Sequence, residues 1–123
     1  MYRRTSRSDE LSMRKRWTRW SVLGHEVIDG SGVSVGKIVD TWPFDGGEVE
    51  LVIVRLDGSF GGKRMLAVED LWSDGFFLRT PFAAWQVEDA PQLSDSRHAA
   101  EDPYRARSYW RFAEPESLFE VAA

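Results

Sequence analysis

The chemistry open to this chain of 123 residues is bounded by two histidines and the absence of cysteine. His25 and His98 each lack a second ligand at the short spacings of zinc sites, and without cysteine there is no thiolate nucleophile, disulfide or Cys-ligated metal. His25 stands where a strand is expected to begin and His98 in a polar linker, so both read as surface histidines. Serines are plentiful, but none stands in a G-x-S-x-G elbow and no acid is marked as partner to a base, which leaves a hydrolase triad without support. Gly30-Ser31-Gly32-Val33-Ser34-Val35-Gly36 has the spacing of a dinucleotide loop. Such a loop needs a helix N-terminus directly behind its glycines, and the following Lys37-Ile38-Val39-Asp40-Thr41-Trp42 is strand-like, so the segment reads as a turn. Asp29 beside Gly30, and Asp45-Gly46-Gly47-Glu48, offer one or two carboxylates where calcium takes roughly six to eight oxygens. The residues point to a chain with no catalytic group, no cofactor and no metal.

Charge and aromatic surface are more informative. Residues 1–20 hold seven bases against two acids, and residues 21–123 hold nine against eighteen, so a net +5 arm precedes a net −9 body. An acidic body repels phosphate backbones, which assigns any binding of anions to the arm. Within the arm, Arg14-Lys15-Arg16-Trp17-Thr18-Arg19-Trp20 interleaves bases with tryptophan. Arg14, Lys15, Arg16, Trp17 and Arg19 could meet an anionic membrane surface or single-stranded nucleic acid. The alternative is that Trp17 or Trp20 packs on the body while the bases stay solvated.

The elements that must position these groups follow from glycine spacing. Residues 1–16 carry too little apolar surface to order themselves and read as a mobile arm, within which Met13 offers a second start. Beyond residue 20, Asp29-Gly30, Asp45-Gly46-Gly47, Asp57-Gly58, Gly61-Gly62 and Asp74-Gly75 separate short apolar runs. Glycine accepts positive φ in tight turns, so the pattern predicts antiparallel strands at about 25–29, 35–42, 48–56, 63–68 and 76–79. The run Leu51-Val52-Ile53-Val54 predicts a strand centre covered on both faces. Short strands of this kind close most economically into a small barrel. Thr80-Pro81 reads as an N-cap and first helical proline opening a short turn over 82–87, and Asp102-Pro103 repeats the signature before a helix over 104–112.

No apolar stretch approaches the roughly 20 residues that span a bilayer, and no export signal follows the N-terminal arginines, so a cytoplasmic location is expected. Six tryptophans and seven phenylalanines exceed what one small interior holds. Trp72, Phe76, Phe77, Trp85 and Trp110 are expected to stay partly exposed as a partner surface, unless the C-terminal helix covers them.

Leu23-Gly24-His25-Glu26-Val27-Ile28-Asp29, then Gly32 and Val35-Gly36-Lys37-Ile38-Val39-Asp40, then the strand 51–56, Phe60-Gly61-Gly62-Lys63-Arg64, and finally Pro81 with Ala90-Pro91 resemble a PRC-barrel domain. This module is shared by the cytoplasmic part of the photosynthetic reaction-centre H subunit and the C-terminal half of the ribosome maturation factor of the small subunit. The resemblance covers about residues 20–93, and 101–110 resembles the acidic, aromatic tail of stand-alone bacterial members. It implies a mainly β fold, a barrel of five to six antiparallel strands over 20–93. A basic arm over 1–19 would precede it, and a linker with a short helix over 94–123 would follow. It also implies a binding or assembly module without shared catalytic residues, acting on a protein partner or a second copy. Ribosome assembly or RNA processing is the alternative, and association with a photosynthetic complex ranks below it. The first 20 residues carry neither the membrane-spanning helix of the one relative nor the preceding domain of the other.

Overall fold

Strands form where β-branched and aliphatic residues run between the glycine steps, and in the computed structural model, which describes residues 17–44, 47–58, 61–93 and 101–116, six of them build one sheet. They are β1 (Glu26–Asp29), β2 (Ser34–Trp42), β3 (Leu51–Leu56), β4 (Lys63–Ala67), β5 (Trp72–Ser73) and β6 (Leu78–Thr80). Among the described residues, three short α-helices accompany them, α1 (Arg19–Val22), α2 (Ala84–Asp89) and α3 (Asp102–Phe112), with one 3-10 turn at Val68–Asp70. The fold is mainly β, as the sequence predicts.

The strand order is β4-β3-β2-β1-β6-β5. Strands β1 to β4 form an antiparallel meander, but β6 lies parallel to β1, with Val27 opposite Leu78. The sheet is therefore mixed, which corrects the expectation of purely antiparallel pairing. Among the described residues, β4 and β5 end the sheet and do not pair with each other. β5 escapes a reading by pattern because it is two residues long. β6 starts at Leu78 rather than 76 because Asp74 ties down the turn before it, its Oδ1 accepting from the N–H groups of Phe76 and Phe77, each at 2.9 Å.

The core forms where β3 is covered on both faces. Leu51 to Val54 are buried, together with Val27, Ile38, Leu71, Phe82 and Val87. Gly36 makes β2 and β3 fit: a Cβ there would collide with the Arg55 carbonyl oxygen and stand 2.9 Å from Val54 Cγ1. That is the close backbone approach expected of a glycine inside a strand.

Helix α3 and the chain at 92–93 together close the edge that β4 would otherwise present, Gln92 bridging to Arg64. Trp110 Nε1 donates to Met65 O at 2.7 Å, Leu93 N–H donates to Lys63 O at 3.1 Å, and the Trp110 ring packs 4.4 Å from that of Phe82. An unpaired strand edge invites association, so covering it has a clear physical value. Gln86 fastens the segment beyond α3: its Nε2 donates to Glu114 O at 2.6 Å, and its Oε1 accepts from Glu116 N–H at 3.0 Å.

Two boundaries move. The folded body begins by Trp17 rather than at residue 20, because Thr18 caps α1, Val22 is in the core and the Trp17 carbonyl accepts from Val49 N–H. Thr80 ends β6 instead of capping a helix; its Oγ1 accepts from Phe82 N–H at 3.2 Å, and α2 starts at Ala84. Proline at 81 is accommodated in that turn. Asp102 and Pro103 are the first two residues of α3, where a missing N–H costs nothing.

Candidate functional site

Three loops converge around the end of β1, and buried Asp29 holds two of them. Its Oδ1 accepts from the N–H groups of Ser31 and Val33, each at 2.9 Å, which fixes the β1–β2 turn. Its Oδ2 accepts from Ala84 N–H at 3.1 Å and so anchors the first residue of α2. Three charge-assisted bonds satisfy a carboxylate that burial would otherwise penalise. Asp29 is thus structural, and it explains why an acid beside Gly30 need not ligate a metal.

The third loop is joined through Arg79, which sits between the two acids. Its Nη1 donates to the Asp29 carbonyl at 3.3 Å, and its Nε donates to Asp74 Oδ2 at 2.8 Å. Asp74 also receives the Phe76 and Phe77 amides, and Gly75 between them holds φ at 103°, a conformation that suits glycine. The backbone N–H groups of Phe77 and Phe76, then Arg79, hold the Asp74 carboxyl down to about 2.

This bonded frame carries large apolar side chains into solvent. Phe76 is 84% exposed, Trp85 55%, Val33 51% and Phe77 36%. Bonded backbone beneath exposed aromatic rings leaves little entropy to lose were they to be covered.

Of the residues expected on a partner surface, Phe76, Phe77 and Trp85 share this frame. Trp72 is half-buried and lies opposite Arg79 in the β5–β6 pair. Trp110 is corrected: at 1% exposure it belongs to the core, since the face of α3 that carries it and Ala106 is the one packed on β4. Val33 was missed because it sits in a glycine-rich turn, where only its apolar character gave a signal. Trp20, Tyr104 and Phe112 are also exposed, outside this network.

Of the proposed anionic-surface residues, Arg14, Lys15 and Arg16 lie outside the described residues. Trp17 packs against the core, and Arg19 pairs with Asp40 at 2.5 Å and stacks 6.0 Å from the Trp20 ring. Both therefore belong to the body, which is the alternative the sequence left open for Trp17.

Other titratable groups serve packing. Arg64 spans from β4 to the end of α2, with Nη1 donating to Lys63 O at 3.1 Å and Nη2 to Glu88 O at 3.0 Å. Burial lowers its pKa, and the neighbouring charge of Glu88 opposes that shift. Burial likewise raises the pKa of Tyr109, whose hydroxyl donates to Gln86 O at 2.7 Å. His25 is exposed. Among the described residues no three His, Asp or Glu side chains are grouped to hold a metal ion, and no helix is long and apolar enough to cross a membrane.

No protein-family model matches the chain, and no curated protein sequence matches it.

Proposed function

We propose that the chain is a non-catalytic binding module of the PRC-barrel type that works in the cytoplasm by protein–protein contact through the face formed by Val33, Phe76, Phe77 and Trp85. The observation that carries this reading is the bonded frame of Asp29, Arg79 and Asp74 beneath four exposed apolar side chains. The residues behind the family resemblance have matching structural reasons: Asp29 ties the first turn to α2, and Gly36 allows β2 to approach β3. Both are architectural, as suits a module defined by its scaffold.

Affinity capture from native cells, comparing the full chain with Phe76→Ser and Trp85→Ser, tests the reading. Both side chains are exposed, so the variants should melt with the unsubstituted protein. A partner retained by that protein and lost from both variants is the expected result. Retention by both variants would remove the face from the function.

A further inference from the structure

Charge arithmetic along the chain makes the body uniformly acidic, but strand register does not respect that arithmetic. Lys37 of β2 stands directly opposite Arg55 of β3, and Arg55 directly opposite Lys63 of β4. Directly opposed residues share one face of a sheet, and all three are exposed. Adjacent strands lie about 4.8 Å apart, so three cations are set in a row roughly 10 Å long.

None of the three side chains makes an ion pair or hydrogen bond among the described residues. Two carboxylates border the row and keep their charge, but neither forms an ion pair with its three cations. Glu26 is opposite Lys37, yet its Oε2 lies 2.9 Å from the Ser34 hydroxyl, and Asp57 Oδ2 lies 2.5 Å from the same oxygen. Like charges placed directly opposite one another oppose the pairing of their strands. Such a row costs the fold something when empty, and an anion laid across it relieves that cost.

We infer that Lys37, Arg55 and Lys63 form a binding site for a compact multivalent anion of the phosphoryl class. Arg55 at the centre supplies a planar fork that grips two oxygens at once, and the flanking lysines supply point charges on either side. The acidic remainder of the body selects against long polyanions, because a nucleic acid or a charged membrane extending beyond the row meets net −9 over residues 21–123. A short, densely charged group avoids that repulsion. The site is separate from the aromatic face and does not depend on it.

The test is a titration of the isotopically labelled full chain with sodium pyrophosphate, inorganic phosphate and a 20-nucleotide single-stranded RNA at constant ionic strength, read by amide chemical shifts. Pyrophosphate should saturate the amides of Lys37, Arg55 and Lys63, and inorganic phosphate should bind the same residues about tenfold more weakly. Arg55→Gln should weaken pyrophosphate by about tenfold, while its melting temperature stays level or rises because a repulsion is removed. Shifts confined to residues 1–16 would overturn the site and return anion binding to the arm. RNA binding the row more tightly than pyrophosphate would overturn the ligand class. A fall in the melting temperature of Arg55→Gln would show that the guanidinium is structural.

Discussion

The aromatic face and the cationic row are built by opposite means. The face rests on three loops, and every charge beneath it is spent internally: Asp29 on backbone amides, Asp74 on two amides and Arg79. The row rests on three rigid strands, and its charges are left open. A surface that has satisfied its polar groups recognises shape and apolar area. One that has not recognises charge. Loops and strand register are set independently, so one small sheet can present both an apolar face and a charged row.

Substitutions that strike one region and spare the other sharpen this comparison. The largest effect is expected from Gly36→Val, which abolishes both regions together. The new side chain must displace the Arg55 backbone or Val54, and the loss should reach about 3 kcal/mol or more, measured by chemical denaturation. Normal stability in that variant would mean that β2 and β3 approach less closely than described.

Asp29→Ala should separate the two regions. It strands the amides of Ser31, Val33 and Ala84, at a cost of about 2 to 4 kcal/mol, and lets the face move while the row keeps its register. Hydrogen exchange should quicken at 30–34 and 82–86 and hold at 52–55. Equal quickening in both stretches would show that the loops and the sheet open as one unit.

How much of this was legible in the sequence depends on the range of the contacts involved. The Asp-Gly steps, the buried run of β3 and the start of α3 are local, so pattern alone places them to within a few residues. Trp110 was misassigned because composition counts aromatic residues without saying which side of a helix meets the sheet. The row was invisible for a related reason: Lys37, Arg55 and Lys63 are scattered in sequence and meet only through pairing. Net charge averaged over residues 21–123 concealed a place where cations gather.

Trp110→Phe tests whether the edge cover matters to either region. It keeps an aromatic ring against Phe82 but removes the bond to Met65 O, and should cost about 1 to 2 kcal/mol while leaving the aromatic face and the row intact. A change in partner capture by this variant would tie α3 to the binding face.

The smallest effect concerns pH. The Asp74 carboxyl is held at about 2, below its ordinary 3.8, so its contribution is complete above 3.8 and is lost as pH falls from there through about 2. The amides of Phe76 and Phe77 should titrate with a midpoint near 2, while those of the row stay flat over the same range. A midpoint near 3.8 would show that the tip is not bonded as described.

The parallel pairing of β1 with β6 also fixes an order of assembly. Strands β1 to β4 can pair as successive hairpins while the chain is being made, but Val27 meets Leu78 only after 51 further positions have been synthesised. Until then the outer edge of β1 has no strand beside it, and the turn that Asp29 organises lacks α2. Contacts of long sequence separation form late because the chain between them must first be closed into a loop. The aromatic face therefore takes shape only after β1 to β4 have been made, with α3 still to be added to the β4 edge, and a ribosome that stalls before residue 78 would hold an unfinished sheet with its β1 edge open.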